Sequence, residues 1–279
     1  MTPMGNFVLQ EQQLTPRQQR ELEYHRGHAA KRSDVLDLPI ECDVISAGPR
    51  KWWNAFWAMY DHVLAENVAG KRVLVPGCGF GEDAIRLSLL GAKVSAFDLS
   101  AESIEIAVQR AQNAGQAHID FGVMPSEALS YADNSFDVVL FVDILHHVDI
   151  ARTMQEIVRV LKSGGTIIGD ELYTSSKVQR IRESWLVEKI AYPPMRRWIY
   201  GTQTPYITPD EHKIDERDFA HVRKILASCD TGYFGVLEGR LFPGRIAWAS
   251  KIDRLFMKLA GPAGSLLGSR IVFSGKTPV

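Results

Sequence analysis

From Lys71 the chain alternates short apolar runs with amphipathic stretches. KRVLVP reads as a strand, GEDAIRLSLLG as a helix ended by Gly91, KVSAFD as a second strand, and SAESIEIAVQRAQNAG as a helix capped by Ser100 and ended by Gly115. HIDFGVM and SFDVVLFVD follow as a third and a fourth strand, ARTMQEIVRVLKSGG as a helix stopped by its glycines, and TIIGDEL as a fifth strand. Strands separated by helices run parallel, and a stretch such as Val138 to Val142, apolar at every position, belongs in a sheet covered on both faces. The expected fold class is α/β, a doubly wound, mostly parallel sheet of about seven strands.

The pattern is different on either side of this block. Residues before Leu14 are polar and glutamine-rich, after which Thr15 reads as a helix cap, Pro16 as the first helical residue, and Leu22, His25, Ala29 and Val35 as a weak apolar stripe. Gly48 and Pro49 punctuate the chain before Trp52, Trp53, Phe56, Trp57 and Tyr60, whose spacing gathers aromatics on one helical face. Residues 1–66 are therefore expected to form a tail and an aromatic helical lid, and residues 67–279 the main domain. After Tyr173 the alternation lapses, so 174–215 reads as an insertion on the substrate side, before a helix from Glu216 to Ser228 and a strand from Thr231 to Glu238. Residues 240–267 form a second insertion, in which Trp248, Ile252, Leu255, Phe256 and Leu259 share one helical face, and SRIVFSGK is the last strand.

Composition narrows the function. Thirty-two basic against 33 acidic residues leave a net charge of -1, which argues against a nucleic-acid partner, since phosphate neutralisation calls for a basic field. Cys42, Cys78 and Cys229 are odd in number and far apart, neither a disulfide framework nor a zinc set, and fit a reducing cytoplasm. MTPMGNFVLQEQQLTPRQQ has no basic start and no long apolar run, and no segment reaches the ~18 apolar residues of a membrane span, so stable membrane insertion is not expected.

Gly77-Cys78-Gly79-Phe80-Gly81 follows a strand and opens a helix, where an open α/β sheet places a ligand over its strand ends. Glycines there let backbone approach the ligand closely. Asp98 closes the second strand; a carboxylate at that position either accepts two hydrogen bonds from a ribose diol or caps the next helix with Ser100. The glycine turn alone also suits dinucleotide sites.

The run VLVPGCGFGEDAIRLSLLGAKVSAFDLS resembles, in order and spacing, the first two motifs of class I S-adenosylmethionine-dependent methyltransferases of the small-molecule type. MPSEALSYADNSFDVVLFVDILHHVD and EIVRVLKSGGTIIGDE resemble the segments that follow in that family, so the resemblance covers roughly Lys71 to Glu171, and a nicotinamide-binding domain would explain only its first half. The resemblance implies a Rossmann-like methyltransferase fold with insertions after strands 5 and 6, S-adenosyl-L-methionine as cofactor and S-adenosyl-L-homocysteine as product. By it, Gly77, Gly79 and Gly81 approach the methionine part of the cofactor, with Cys78 as a small turn residue between them. Asp98 holds the ribose, Leu99 flanks the adenine, Ser126 and Glu127 lie along its edge, and Phe141, Val142 and Asp143 floor the site. Pro125 stands where the family often has an aspartate.

Methyl transfer is a direct displacement, so the protein must align the acceptor and exclude water, and a hydroxyl acceptor also needs a base. Ile144-Leu145-His146 resembles the base-bearing segment of plant-type small-molecule O-methyltransferases, which makes His146 the candidate base and His147 a second one, against a purely supporting role for the pair. A rival route holds a divalent cation on Asp143, Asp170 and Glu171, as in catechol-type methyltransferases, although Glu171 stands where that family usually has asparagine; the expected metal content is none. Tyr192-Pro193-Pro194-Met195 mimics a DNA amino-methyltransferase motif in the wrong place, after the fifth strand instead of the fourth. Tyr24, His25, Trp52, Trp53, Trp185, Tyr192, Trp198 and Tyr200 are the candidate acceptor-side residues and point to an apolar or aromatic small molecule. Arg180, Arg182, Lys189, Arg196 and Arg197 near them read as a solvated face, an anion-attracting group or a contact with a membrane surface. The expected activity is methylation of a small molecule, at oxygen first, with nitrogen or carbon and a non-catalytic cofactor-binding protein as alternatives; a homodimer is compatible with the sequence.

Overall fold

A computed structural model describes residues 14–46, 54–194, 197, 213–237 and 247–279. The first helix, α1 (Pro16–Ala29), begins as its sequence requires: the Thr15 hydroxyl accepts from the Gln18 N–H, the Gln18 side chain accepts from the Thr15 N–H, and Pro16 occupies the first turn. Helix α2 (Ala55–Glu66) is capped by Asn54. Then come β1 (Arg72–Pro76), α3 (Glu82–Leu89), β2 (Lys93–Asp98), α4 (Ala101–Asn113), β3 (Asp120–Val123), β4 (Phe136–Val142), α5 (Ile150–Val160) and β5 (Leu161–Leu172). Helix α6 (Ser176–Arg182) follows, and after it α7 (Glu216–Lys224), β6 (Ser228–Phe234), α8 (Ala247–Ala260) and β7 (Arg270–Lys276) complete the order.

The seven strands form one sheet in the order β3-β2-β1-β4-β5-β7-β6. All neighbours pair in parallel except β7, which is antiparallel to both β5 and β6. The expected sheet is present, and two boundaries differ. The predicted strand Thr231–Glu238 lies earlier, at Ser228–Phe234, with its helix ending at Lys224, because β7 sets the register by pairing Ser228 with Lys276. The glycines after α5 do not end it; the helix stops at Val160, and Gly164, at φ +70°, sits inside a strand already begun at Leu161.

Strand alternation divides the core. Val73, Val75, Val138, Leu140 and Ile168 face one side with α2 and α3, whereas Leu74, Val139, Phe141, Ile167 and Phe273 face the other with α5 and α7. Of the 1–66 segment, α1 lies against α4, while α2 packs on β5 and β7 with Met59 and Tyr60 fully buried, so the described aromatics of α2 serve the core. The strand order reverses between β1 and β4, and ligand crevices open above the carboxyl ends of strands at such a point.

Candidate functional site

A cavity of about 380 Å³ opens there, within the size range of small-ligand sites. Its strand-end wall comes from the loop after β1, the end of β2, the turn after β3 and the turn after β4; the opposite wall is α1.

In the glycine loop, Gly79 lines the cavity at φ +50°, and a Cβ built on it would meet no protein atom within 4 Å. Its open side is therefore space that a ligand can fill. Gly81 is set back from the cavity; at φ +80° it starts α3, and a Cβ there would come within 2.9 Å of the Ala107 Cβ. That close approach packs α3 against α4. Gly77 lines the cavity with the Ile144 side chain against it. Cys78 is packed against the core, and burial, reinforced by the Asp98 charge, pushes its thiol well above the usual range, so it stays protonated.

Asp98 is buried at the end of β2 and lines the cavity beside Leu99. Its Oδ2 accepts from the Gly79 N–H at 2.9 Å and its Oδ1 from the Ser100 N–H at 2.9 Å, while the Ser100 hydroxyl caps α4 through the Ser103 N–H. Each carboxylate oxygen keeps a further lone pair for a ligand hydroxyl, so the capping role and a ribose role are compatible. Met124, Pro125, Ser126 and Glu127 line the next stretch. Glu127 ties two elements together, accepting from Gln18 of α1 at 2.9 Å and from the Asp149 N–H before α5 at 2.9 Å.

Phe141 does not floor the cavity. Its side chain is fully buried in the α5 side of the core, and Val142 packs toward the other core layer, because both faces of β4 are covered by helices. The turn after β4 reaches the cavity instead, through Asp143, Ile144, His146, His147 and Val148. Asp143 holds φ +51°, an uncommon conformation for a residue with a Cβ, and its carboxylate meets Arg270 of β7 at 2.7 Å. Arg270 also donates to Asp170 at 2.8 Å; burial pushes the Asp170 carboxyl up to about 6 against the pull of that arginine.

Glu171, fully buried, accepts from the Ile144 and Leu145 N–H groups at 2.8 Å each through Oε1, and its Oε2 lies 3.0 Å from His146 Nδ1. A carboxylate only accepts, which assigns the shared proton to Nδ1. On α1, Glu21 is buried and its Oε2 stands 3.1 Å from His147 Nδ1 and 3.7 Å from His25 Nε2. His28 of α1 stacks on Phe80 of the glycine loop, with ring centroids 5.7 Å apart, and both line the cavity.

Tyr24 packs edge-on against His25 outside the lining, and Trp185 is 69% exposed and away from the cavity. Trp52, Trp53, Trp198 and Tyr200 lie outside the described residues. Glu21, Gln18, His28 and Arg270 were not singled out from the sequence. The one signal available was the spacing of Glu21 and His25 on the same face of α1.

Among the described residues, two donor groups are close enough to share a cation: Glu21 with His25 and His147, and Asp143 with His146 and Glu171, the donor atoms within each lying inside 4.8 Å of one another. Asp170, engaged by Arg270, belongs to neither. The cavity lining carries the carboxylates of Glu21, Asp98, Glu127 and Asp143 and, among the described residues, no lysine or arginine. Such a lining favours a ligand with positive charge.

Residues 74–169 match the family described as methyltransferase domain. A ubiquinone biosynthesis O-methyltransferase of Methylocella silvestris is 34% identical over 118 residues, 42% of this chain and 46% of the relative. A phthiotriol/phenolphthiotriol dimycocerosates methyltransferase of Mycobacterium ulcerans is 35% identical over 147 residues, 51% of each chain. The chain thus spans about half the length of the curated relatives it matches. Among solved structures, geranyl diphosphate C-methyltransferase of Streptomyces coelicolor A3(2) superposes with a TM-score of 0.53 at 14% identity, over 95% of this chain and 99% of that one. The cyclase SpnF does so with a TM-score of 0.56 at 18% identity, over 94% and 96%. These likenesses establish the fold, and the presence of a cyclase among them shows that the fold alone does not fix the chemistry. Residues 74–169, at the centre of this chain, are thus similar to the methyltransferase domain family, on a fold shared with these neighbours.

Proposed function

We propose that this protein transfers a methyl group from S-adenosylmethionine to a small-molecule acceptor, at oxygen, with an apolar or aromatic acceptor body. The observation that carries the reading is the cavity's lining: carboxylates of Asp98, Glu21, Glu127 and Asp143, the last paired with Arg270, beside four histidines and with no lysine or arginine in its described lining. A sulfonium is a cation and its demethylated product is not, so this lining favours the reactant over the product. The donor set fits the cofactor in two further respects. Gly79 leaves open the room a ligand backbone would occupy, and Asp98 retains lone pairs for a ribose diol at a strand end beside Leu99.

In this reading, Gly77 and Gly79 border the methionine part, Asp98 holds the ribose, and Leu99, Met124 and Ser126 border the adenine. When bound, the cofactor supplies an electrophilic methyl group. The chain's own residues then position the acceptor and take its proton. His146 Nε2 accepts the hydroxyl proton while Glu171, on Nδ1, holds the ring and stabilises the imidazolium. Alpha-helix α1 closes the other side and limits water, with Glu21, His25 and His147 facing the acceptor.

Calorimetry with S-adenosylhomocysteine, followed by incubation with labelled S-adenosylmethionine and a panel of phenolic and quinol acceptors, tests the reading. Saturable binding with label delivered to acceptor oxygen is expected. Binding with no labelled product from the acceptor panel or from a metabolite extract would leave a cofactor-binding protein without transferase activity, and no binding at all would remove the site. His146→Gln should keep cofactor affinity while turnover falls by about a hundredfold, the usual scale for a lost general base. Turnover abolished by chelator would replace the histidine route with the cation route.

A further inference from the structure

Helix α8 is built inside out. Its inward face carries Ala249, Ser250 and Asp253, all buried, whereas its large apolar residues face solvent: Trp248 is 52% exposed, Ile252 46%, Leu255 59%, Phe256 41% and Leu259 78%. The inner face is held by polar contacts, with Asp253 accepting from the Gly235 N–H at 3.0 Å and the Leu237 N–H at 2.6 Å. This anchoring fixes the helix with its apolar stripe outward. A second stripe stands on α6 and the helical residues that follow it, where Ile181 is 63% exposed, Trp185 69%, Leu186 62% and Ile190 55%. Isolated exposed apolar residues are ordinary; two stripes of large ones are not.

Both helices follow strands that end at the same edge of the sheet. Leu172 at the end of β5 lines the cavity, and the chain runs from it into α6. Phe234 at the end of β6 and Leu172 both lie opposite Arg270 of β7, so the segment leading to α8 leaves from the same edge. The charges around the stripes have one sign in excess. On α8 the exposed charges are Lys251, Arg254 and Lys258, the only acid, Asp253, being buried. Beside the other stripe stand Lys177, Arg180, Arg182 and Lys189, against Glu183 and Glu188, of which Glu188 pairs with Lys189.

We propose that these stripes dock on the surface of an anionic lipid bilayer, with Trp185, Leu186, Leu255 and Leu259 entering the headgroup region and the flanking Lys177, Arg180, Lys251 and Lys258 meeting lipid phosphates. Aromatic and aliphatic residues on one side of a helix bordered by cations are the composition that binds in the plane of a membrane. A second copy of this chain fits less well, because a two-fold contact would set two surfaces with the same excess of positive charge against each other. No helix among the described residues is long and apolar enough to cross a membrane, so the attachment is to one leaflet. This inference rests on the proposed methyl transfer for its consequence: the acceptor is an amphiphile taken from the bilayer into the cavity, which opens at the same strand-end edge of the sheet from which both helices depart.

Co-sedimentation of the full chain with vesicles of phosphatidylcholine, with and without phosphatidylglycerol, tests the docking. Binding is expected to be at least about tenfold tighter on the vesicles containing phosphatidylglycerol, and to weaken as salt is added. The double variants Trp185→Ser with Leu259→Ser, and Lys251→Glu with Lys258→Glu, should each lose at least about tenfold of that binding. S-adenosylhomocysteine calorimetry on the same preparations reports that the variants are folded. Retention of that affinity with no vesicle binding by the parent chain overturns the docking alone, whereas vesicle binding without cofactor binding overturns the site and leaves the docking standing. A dimer seen by sedimentation velocity, abolished by Trp185→Ser with Leu259→Ser, would overturn the proposal by assigning the face to a second protein copy.

Discussion

The two walls of the cavity are held by different kinds of bond. On the strand-end wall the carboxylates grip main chain: Asp98 accepts from the Gly79 and Ser100 N–H groups, and Glu171 accepts from those of Ile144 and Leu145. On the α1 wall the links run through side chains: Gln18 donates to Glu127, the Glu21 carboxylate lies 3.1 Å from the His147 ring, and a long contact of 3.4 Å joins Arg17 to the His146 carbonyl. Main-chain donors are positioned by the sheet before any ligand arrives, whereas side-chain pairs can part without disturbing a strand. The difference teaches that the first wall is fixed and suits an invariant cofactor, and that the second is the wall on which specificity for an acceptor can be altered.

Substitutions can break this division. The largest effect is expected for Glu171→Ala, which strips a buried acceptor from two N–H groups and from His146; a loss of at least ~3 kcal/mol in chemical denaturation, together with loss of turnover, is the expected result. Asp98→Ala comes next, with cofactor affinity weaker by at least ~1 kcal/mol in calorimetry. Unchanged affinity there would detach the strand-end wall from the cofactor. Gly79→Ala forces a Cβ into a left-handed residue at a cost of ~1–2 kcal/mol and also fills the open side of the loop, so cofactor binding should fall further than stability does. Smallest is Glu21→Gln, for which cofactor affinity should stay within about twofold while the KM for the acceptor rises several-fold, on the scale of one weakened polar contact. Equal losses of cofactor binding from Glu21→Gln and Asp98→Ala would erase the distinction between the walls.

The same contrast governs how much the sequence disclosed. Beta-strand β1, the glycine loop, α3 and β2 are contiguous, and their turn chemistry and change of period are local properties, so the sheet and the strand-end wall could be read directly. Phe141 shows the limit of that reading: its place at the end of β4 was visible, but which core layer its side chain joins depends on helices covering both faces. The α1 wall depends on pairs far apart in the chain, Gln18 with Glu127 and Glu21 with His147, on a helix whose own apolar pattern is weak. Glu171 was noticed as a carboxylate of a cation site, and its task of holding the turn after β4 and orienting His146 emerges only when β5 lies beside β4. Arg270 is hidden for the same reason, since its partners, Asp143 just after β4 and Asp170 in β5, lie 100 residues or more earlier in the chain.

Strand β7 is the last strand in sequence yet occupies the slot between β5 and β6. During synthesis β6 therefore emerges with no hydrogen-bonding neighbour of its own, and Asp143 and Asp170 emerge without their counterion, until the ribosome has delivered the stretch from Arg270 to Lys276. A nascent chain stalled before that point would hold an almost complete cofactor-side fold with an open seam, the kind of edge that invites pairing with other chains.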